Sequence, residues 1–338
     1  MIKSAIIGLG KMGLSHCSIL GAQPDANLVA VCDSSTFLLE AFNKYTTKKT
    51  YTDYKKMLDE NDINSLIIAT PTKFHFDMVY YALQKNINVF CEKPFTLKIE
   101  EAENLVMLAK EKSLINQVGY HNRFIGTFNE VKRLIESNVL GEIYNFQGEA
   151  YGPVVIKEKG STWRSNKNEG GGCLYDYSSH VINLINYIIG VPKNVKGTTL
   201  KSVFSNGVED VVYSTLIMEN GLSGQLMVNW SDETYRKMST SITIWGKKGK
   251  IISDAQELKI FLNYDNEIEK LRKGWNIKYL TDLTKPVNFY LRGEEYSAQI
   301  DYFIDCIRNK KTENINSFES AMQTDKVIDM LVKDAEVI

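Results

Sequence analysis

Two segments of this chain carry the side chains best suited to moving a proton. The first, Val89-Phe90-Cys91-Glu92-Lys93-Pro94, ends an apolar run with two charges and a proline. Such a run reads as a buried parallel strand, whose carboxyl edge is where open α/β folds bind ligands. There Lys93 bonds a hydroxyl or ketone oxygen, and its cation stabilises the alkoxide character that grows as hydride leaves carbon. The plainer alternative is a strand-end lysine paired with Glu92 in solvent. The second segment is Gly170-Gly171-Gly172-Cys173-Leu174-Tyr175-Asp176-Tyr177-Ser178-Ser179-His180, a glycine-rich loop running into an apolar helix from Val181 to Ile189. Asp176 and His180 are four positions apart and so share a helical face. An imidazole of ordinary pKa, about 6.5, takes the proton of a secondary alcohol in oxidation and returns it in reduction. Asp176 either orients that ring or bonds the substrate; the plainer alternative is an i,i+4 surface pair. His16 and His121 have no acid beside them and no motif that marks a base.

A second chemistry is written in Gly8-Leu9-Gly10-Lys11-Met12-Gly13, which follows one apolar run and opens an amphipathic one. In a dinucleotide fingerprint the first glycine makes the turn, the second lets pyrophosphate approach and the third lets the helix pack closely. Amides at the helix start then face the phosphates. Asp33 ends Leu28-Val29-Ala30-Val31-Cys32-Asp33, twenty positions beyond Gly13, where a carboxylate bonds the adenosine ribose hydroxyls. It also repels a 2′-phosphate, and no arginine follows in Ser34-Ser35-Thr36. NAD is therefore favoured over NADP. Asp33 is open to a second role as N-cap of the next helix.

The elements that must position these groups follow from periodicity. Residues 1–120 alternate short apolar strands (2–7, 28–32, 65–69, 88–91, 115–118) with helices near 13–22, 35–45, 53–60, 74–86 and 99–112, the pattern of parallel strands joined by crossover helices. Thr96 is the expected cap of the last helix, whose apolar stripe is Ile99, Ala102, Leu105, Val106 and Ala109. After Tyr120 come a helix at 126–137 and alternating strands at 143–152, 195–204, 210–218, 222–230, 240–245 and 257–262, which predict antiparallel pairing. Segment 264–287 reads as a mobile loop, and helices at 297–309 and 318–333 close the chain. The expected fold is α/β: a doubly wound Rossmann-type parallel sheet in residues 1–120, then an α+β domain in 121–338 with a large, mainly antiparallel open sheet. Its last helices pack back toward the first domain.

Bulk properties exclude several functions. A chain of 338 residues exceeds the size at which single cores stop growing. With 40 basic and 41 acidic side chains there is no field to steer a polyanion, so nucleic acid is not an expected partner. Five scattered cysteines suit buried thiols in a reducing cytosol better than a disulfide framework. No apolar stretch has the length of a membrane span, the start lacks a signal-peptide pattern, and Met1 is expected to begin the mature chain. No metal is expected, because no His/Cys/Asp cluster has zinc spacing.

Taken in order, Gly8–Gly13, Glu92-Lys93-Pro94 and the Gly-Gly-Gly…Asp-x-x-x-His block resemble the glucose–fructose oxidoreductase, inositol dehydrogenase and rhizopine-catabolism family (Gfo/Idh/MocA) of NAD(P)-dependent oxidoreductases. The resemblance runs almost end to end. It implies that Lys93 and His180 act in proton transfer and polarisation, that Asp176 supports them, and that the Lys93–Pro94 bond is cis. It further implies that Thr70, Pro71 and His75 line the cofactor with Glu92 and Lys93, Pro71 lying near the nicotinamide, although a helix-start role suits His75 equally. Further substrate-pocket candidates are Tyr120 and Arg123 in Gly119-Tyr120-His121-Asn122-Arg123-Phe124, Tyr151, Trp163 and Arg164; arginine suits polyhydroxylated or anionic substrates. Each has an alternative in packing or an ion pair. The expected reaction is reversible oxidation of a ring hydroxyl on a sugar, cyclitol or sugar nucleotide, the last in sugar-nucleotide or polysaccharide pathways. Redox-assisted glycoside cleavage and a non-catalytic NAD-binding sensor or scaffold are the alternatives. The resemblance also implies a homodimer or homotetramer formed through the open sheet.

Overall fold

The computed structural model describes residues 1–154 and 163–336. In chain order the strands are β1 (Ile2–Ile7), β2 (Ala26–Cys32), β3 (Lys49–Tyr51), β4 (Ser65–Ile68), β5 (Asn88–Cys91), β6 (Asn116–Val118), β7 (Ile143–Tyr151), β8 (Asn194–Lys201), β9 (Val211–Ile217), β10 (Ser223–Asn229), β11 (Ser239–Gly246), β12 (Gly249–Asp254), β13 (Glu257–Leu262) and β14 (Gly274–Tyr279). The helices are α1 (Lys11–Gly21), α2 (Thr36–Asn43), α3 (Tyr54–Glu60), α4 (His75–Gln84), α5 (Ile99–Glu111), α6 (Gly126–Glu136), α7 (Ser179–Ile188), α8 (Leu280–Leu283), α9 (Glu294–Arg308) and α10 (Phe318–Ala335). They form two compact units: Met1–His121 with Pro286–Met322, and Asn122–Lys285 with the chain from Gln323 onward.

The first unit is built on a six-stranded sheet of order β3-β2-β1-β4-β5-β6, every pairing parallel. The order reverses between β1 and β4, the point where such sheets open a crevice for ligands. The loops carrying Gly8–Gly13, Thr70-Pro71 and Lys93 leave the sheet at this same carboxyl edge. Helix α5 buries Ala102, Leu105, Val106 and Ala109, the predicted stripe. Thr96 is not its cap: Lys98 is the N-cap residue, without a side-chain bond, and the Thr96 hydroxyl donates to the Lys98 carbonyl. Pro286–Met322, grouped by sequence with the second domain, belongs to this unit, because α9 buries Ile300, Phe303 and Ile304 in the cluster that holds Ile6, Leu20 and Phe90.

The second unit holds an eight-stranded sheet of order β14-β13-β12-β11-β7-β10-β9-β8, antiparallel except where β7 meets β10. The doubly wound parallel sheet and the mainly antiparallel open sheet expected from sequence are thus both present. On one face Phe146, Ala150, Ile242 and Ile244 pack with Val181, Ile182 and Ile185 of α7 and with Phe128 and Val131 of α6. Gly148 makes that approach close, since a Cβ there would lie 2.7 Å from Val181 and Ile185 side-chain carbons. The other face shows Tyr213, Phe261, Trp275, Ile277 and Tyr279 to solvent. Sequence missed β12, and it read β14 as loop: the alternation Trp275, Ile277, Tyr279 turns its apolar side outward on an edge strand.

Truncating Phe303, fully buried between α9 and the parallel sheet, tests whether α9 is integral to the first unit. We expect Phe303→Ala to cost about 3–5 kcal/mol in urea unfolding of that unit. A loss below about 1 kcal/mol would show that this helix lies outside its core.

Candidate active site

Gly8 turns the chain out of β1 with φ +93°, a left-handed conformation that side chains disfavour. A Cβ on Gly13 would collide with the Gly8 carbonyl oxygen, whereas a Cβ on Gly10 would meet nothing within 4 Å. Gly10 is exposed and is the N-cap of α1, with no side chain folded over its amides. The turn is therefore open just where a phosphate would approach a helix start. Asp33 is tied to this turn. Its Oδ2 accepts the Leu9 N–H at 2.6 Å and its Oδ1 the Ser35 N–H at 2.8 Å, leaving a further lone pair on each oxygen for ribose hydroxyls. The cap of α2 is Ser35, which accepts from Leu38 N–H, so Asp33 is not that cap. Open Gly10, tight Gly13 and anchored Asp33 are the features that a dinucleotide-binding turn requires. Lys11 is exposed and Met12 half-buried at the start of α1.

The end of β5 is held by a buried carboxylate. Glu92 Oε1 accepts from His16 Nε2 of α1 at 2.7 Å, and Oε2 accepts the Lys93 N–H at 3.2 Å. Burial pushes the Glu92 carboxyl up, but the His16 bond and charge, with Lys93, outweigh it and leave the pKa below its ordinary value. His16 thus has an acidic partner that sequence did not reveal, and it is a structural one. Lys93 is half-buried, and the Lys93–Pro94 bond is cis. His75 is fully buried. Its Nδ1 lies 3.0 Å from the Pro94 carbonyl oxygen and 3.1 Å from that of Phe95, and its Nε2 lies 3.0 Å from that of Thr70. Burial pushes this imidazole down, and the carbonyl bonds pull partly against it. His75 is a brace between the Thr70-Pro71 loop and the segment after Lys93, not a cofactor-facing group. Thr70 and Pro71 are half-buried; Tyr120 is 1% exposed and packed in the core with Phe95 and Phe318, which removes it from the substrate candidates.

In the second unit Asp176 and His180 are each 3% exposed. They do not lie on one continuous α-helix: Leu174–Ser178 is a π-helical turn and α7 begins at Ser179. π turns widen the helix and recur at functional sites. Asp176 Oδ2 accepts from Arg164 Nε at 2.9 Å, and the Arg164 guanidinium lies 4.6 Å from the Trp163 ring centre. Trp163, Arg164 and Asp176 are therefore one assembly. Arg123, 5% exposed, donates to the Asn183 side chain at 2.7 Å and to its carbonyl at 3.2 Å and lies over Tyr187. That makes it a brace for α7. Tyr151 is a correction: strand alternation puts it with Glu149, whose carboxylate its hydroxyl bonds at 2.8 Å, on the open face, while Gly148 and Ala150 face α7.

Residues 2–120 match the model of the oxidoreductase family with an NAD-binding Rossmann fold, GFO/IDH/MocA, and residues 128–252 match that family's C-terminal domain. The chain belongs to this family. A GFO/IDH/MocA relative, scyllo-inositol 2-dehydrogenase (NAD(+)) of Bacillus subtilis, is 24% identical over 328 residues, 95% of this chain and 90% of that protein. Among solved structures, levoglucosan dehydrogenase in complex with NADH and levoglucosan superposes with TM-score 0.88 at 22% identity, covering 99% of this chain and 97% of that one. The WlbA dehydrogenase from Bordetella pertussis in complex with NADH and UDP-GlcNAcA superposes with TM-score 0.86 at 20% identity, over 99% and 96%. The protein is an oxidoreductase of the dehydrogenase type with an NAD-binding Rossmann domain.

Against that family background, Glu209 is the residue sequence reasoning missed in the second unit. Its Oε1 accepts the Leu174 N–H at 2.9 Å, its carbonyl accepts the Cys173 N–H at 2.9 Å, and its carboxylate fills the space a Cβ on Gly172 would need. Burial pushes the Glu209 carboxyl up against the pull of that amide. No spacing rule links position 209 to a loop at 170–174; the neighbouring glycines were the one available signal. Among the described residues no group of three or more His, Cys, Asp or Glu could hold a metal, and no helix is long and apolar enough to cross a membrane.

The glycines of the turn give paired expectations. Gly13→Ala forces the turn apart, so we expect a lower melting temperature and NADH affinity weakened roughly a hundredfold by fluorescence titration. Gly10→Ala keeps the melting temperature, because its Cβ meets nothing, yet weakens NADH binding. Unchanged binding in Gly10→Ala would mean that the dinucleotide does not cross this turn.

Proposed function

We propose that the protein is an NAD-dependent dehydrogenase that oxidises a ring hydroxyl of a sugar or cyclitol, with a nucleotide-linked sugar the first choice of substrate. The observation that carries the reading is that Lys93 leaves β5 on the same sheet edge as the Gly8–Gly13 turn and its anchored Asp33. Relatives that act on inositol, and a structural neighbour holding UDP-GlcNAcA, support the substrate class. Bound NAD supplies the hydride acceptor. In this reading the Lys93 ammonium bonds the substrate oxygen and stabilises its growing negative charge. The imidazole of His180 takes the hydroxyl proton as the carbinol hydrogen leaves with its electron pair. Asp176, bonded to Arg164, holds the turn that leads into the helix carrying His180, and Trp163 gives a flat apolar wall to a sugar ring.

NAD is proposed over NADP because a 2′-phosphate would stand against the Asp33 carboxylate. The exposed aromatic face of the second sheet supports a homo-oligomer in which a second copy covers it. The five buried thiols are in keeping with a cytoplasmic protein.

Nicotinamide fluorescence during incubation with a panel of sugars, cyclitols and sugar nucleotides tests the reaction. Lys93→Ala and His180→Ala should each lower kcat by about 10²–10⁴-fold with little change in NADH affinity. Unchanged turnover in either variant removes that residue from the chemistry. Asp33→Ala should weaken NAD and raise the NADP-to-NAD preference by about tenfold or more, since one charge clash of ~1.4 kcal/mol is a factor of ten. A preference that stays put would locate the ribose contact elsewhere.

A further inference from the structure

A stacked column of side chains stands at the carboxyl edge of the first unit, outside the residues so far given roles. Helix α9 begins at this edge. Its far end reaches the opposite edge, where Arg308 pairs with Asp25 at 2.7 Å, immediately before β2, while Tyr296 near its start stacks on His121, three residues beyond β6, at 4.7 Å and 20°. The Arg292 guanidinium lies 5.3 Å from the Tyr296 ring centre and is exposed. His121 in turn feels the charges of Glu92, Lys93 and Arg292; burial, helped by the two cations, pushes its pKa down to about 4, so it is neutral at pH 7.

The backbone makes this placement more than a surface accident. Arg292 has φ +67° and Gly293 φ +139°. A bulky residue in the left-handed region stores strain, and strain of this kind collects at ligand-binding sites. Capping does not explain it, since the N-cap of α9 is Gly293, with no side-chain cap. An arginine laid on an aromatic ring is pre-organised for oxyanions, because its planar fork matches carboxylate and phosphate. Two separate chain segments thus bring Lys93 and Arg292 into charge range of one imidazole. The Glu92 carboxylate acts on the same imidazole but is bonded to His16 and the Lys93 amide, and an anionic ligand near Lys93 and Arg292 gains from both cations.

We propose that Arg292 is an anion-recognising residue of the Lys93 site and that the substrate is an acidic sugar derivative, a polyol bearing a phosphate or a carboxylate. The proposal rests on the dehydrogenase reading for the identity of the site, and it narrows the substrate class within it.

Isothermal titration of the NADH-loaded protein with glucose, glucose 6-phosphate, glucuronate and UDP-glucose tests it. The unsubstituted protein should bind at least one acidic sugar about 10–100-fold more tightly than glucose, the range of one charge-assisted bidentate contact. Arg292→Leu should collapse that ratio to within about threefold with the melting temperature unchanged, and Arg292→Lys should restore part of it. The phosphate and carboxylate arms separate the two sources of negative charge. Equal binding of neutral and acidic sugars, failure of every acidic sugar to bind, or a preference that survives Arg292→Leu overturns the proposal. An Arg292-dependent preference without NADH formation from any sugar would uphold the anion site and sink the dehydrogenase reading instead.

Discussion

One carboxylate taken out of water sets the working edge of the first unit. Glu92 is 8% exposed and joins three elements: α1 through His16, the segment after β5 through the Lys93 amide, and the loop after β6 through Gly119, whose Cβ position lies 2.9 Å from Oε2. A buried charge is tolerable only when hydrogen-bonded and paired, so neither α1 nor the segment after β5 can drift without exposing an uncompensated charge, and at Gly119 the carboxylate leaves no room for a side chain. The helix that follows the glycine turn and the segment carrying Lys93 are thereby fixed to each other, and buried His75 lies 3.0 Å from the carbonyl oxygens of both Pro94 and Thr70. The candidate binding and reacting segments are held by polar interior contacts, which are directional, where packing alone would let a loop slide.

The second unit reaches the same end by other means. Its glycine loop has no side chains to pack, so Glu209 supplies them from another part of the chain, occupying the volume above Gly172 and bonding the first amides of the π turn. Leu174–Ser178 then enters α7 with a wider winding, and Asp176 is presented to Arg164. Glycine is needed at 172 on two counts, φ +104° and the Glu209 carboxylate. Arg123 and Asn183 brace α7 from the side. Each unit thus anchors its candidate segment on a partnered buried carboxylate, Glu92 in the first and Glu209 in the second.

Local pattern carried most of the architecture. Strands β1 and β5 were legible as short apolar runs buried on both faces, and β13 and helix α5 as elements that each bury one periodic face. The parallel order followed from strands alternating with crossover-length helices. The losses have physical causes. β14 turns Trp275, Ile277 and Tyr279 outward, reversing the usual sign of the pattern. α9 belongs to the first unit because Phe303 meets Phe90 at 5.9 Å, a pairing across more than two hundred positions that no window of sequence can contain. In the site, Gly8–Gly13, Asp33 and Lys93 were legible because backbone geometry demands glycine and strand ends project charges. Tyr151 misled, since a period-two element hands adjacent residues to opposite faces and the sequence does not say which face carries α7.

The same contrast explains why cofactor and substrate differ so much in what a sequence discloses. A dinucleotide is met by backbone: the turn at Gly8 and the closeness at Gly13 are conformational needs that only glycine meets, and the bare side of Gly10 leaves room for the phosphates. The residues proposed to meet a sugar are side chains at the ends of irregular segments, such as Arg164 on its short turn and Arg292 before α9, whose positions are set by distant packing. Such segments have no periodicity, so they carry no pattern that a reader of sequence could detect. What distinguishes such a residue is found only in three dimensions, in a guanidinium laid on a ring or a φ that costs energy to hold. The proposed specificity residues therefore lie where local periodicity gives no signal and only the folded packing shows what they touch.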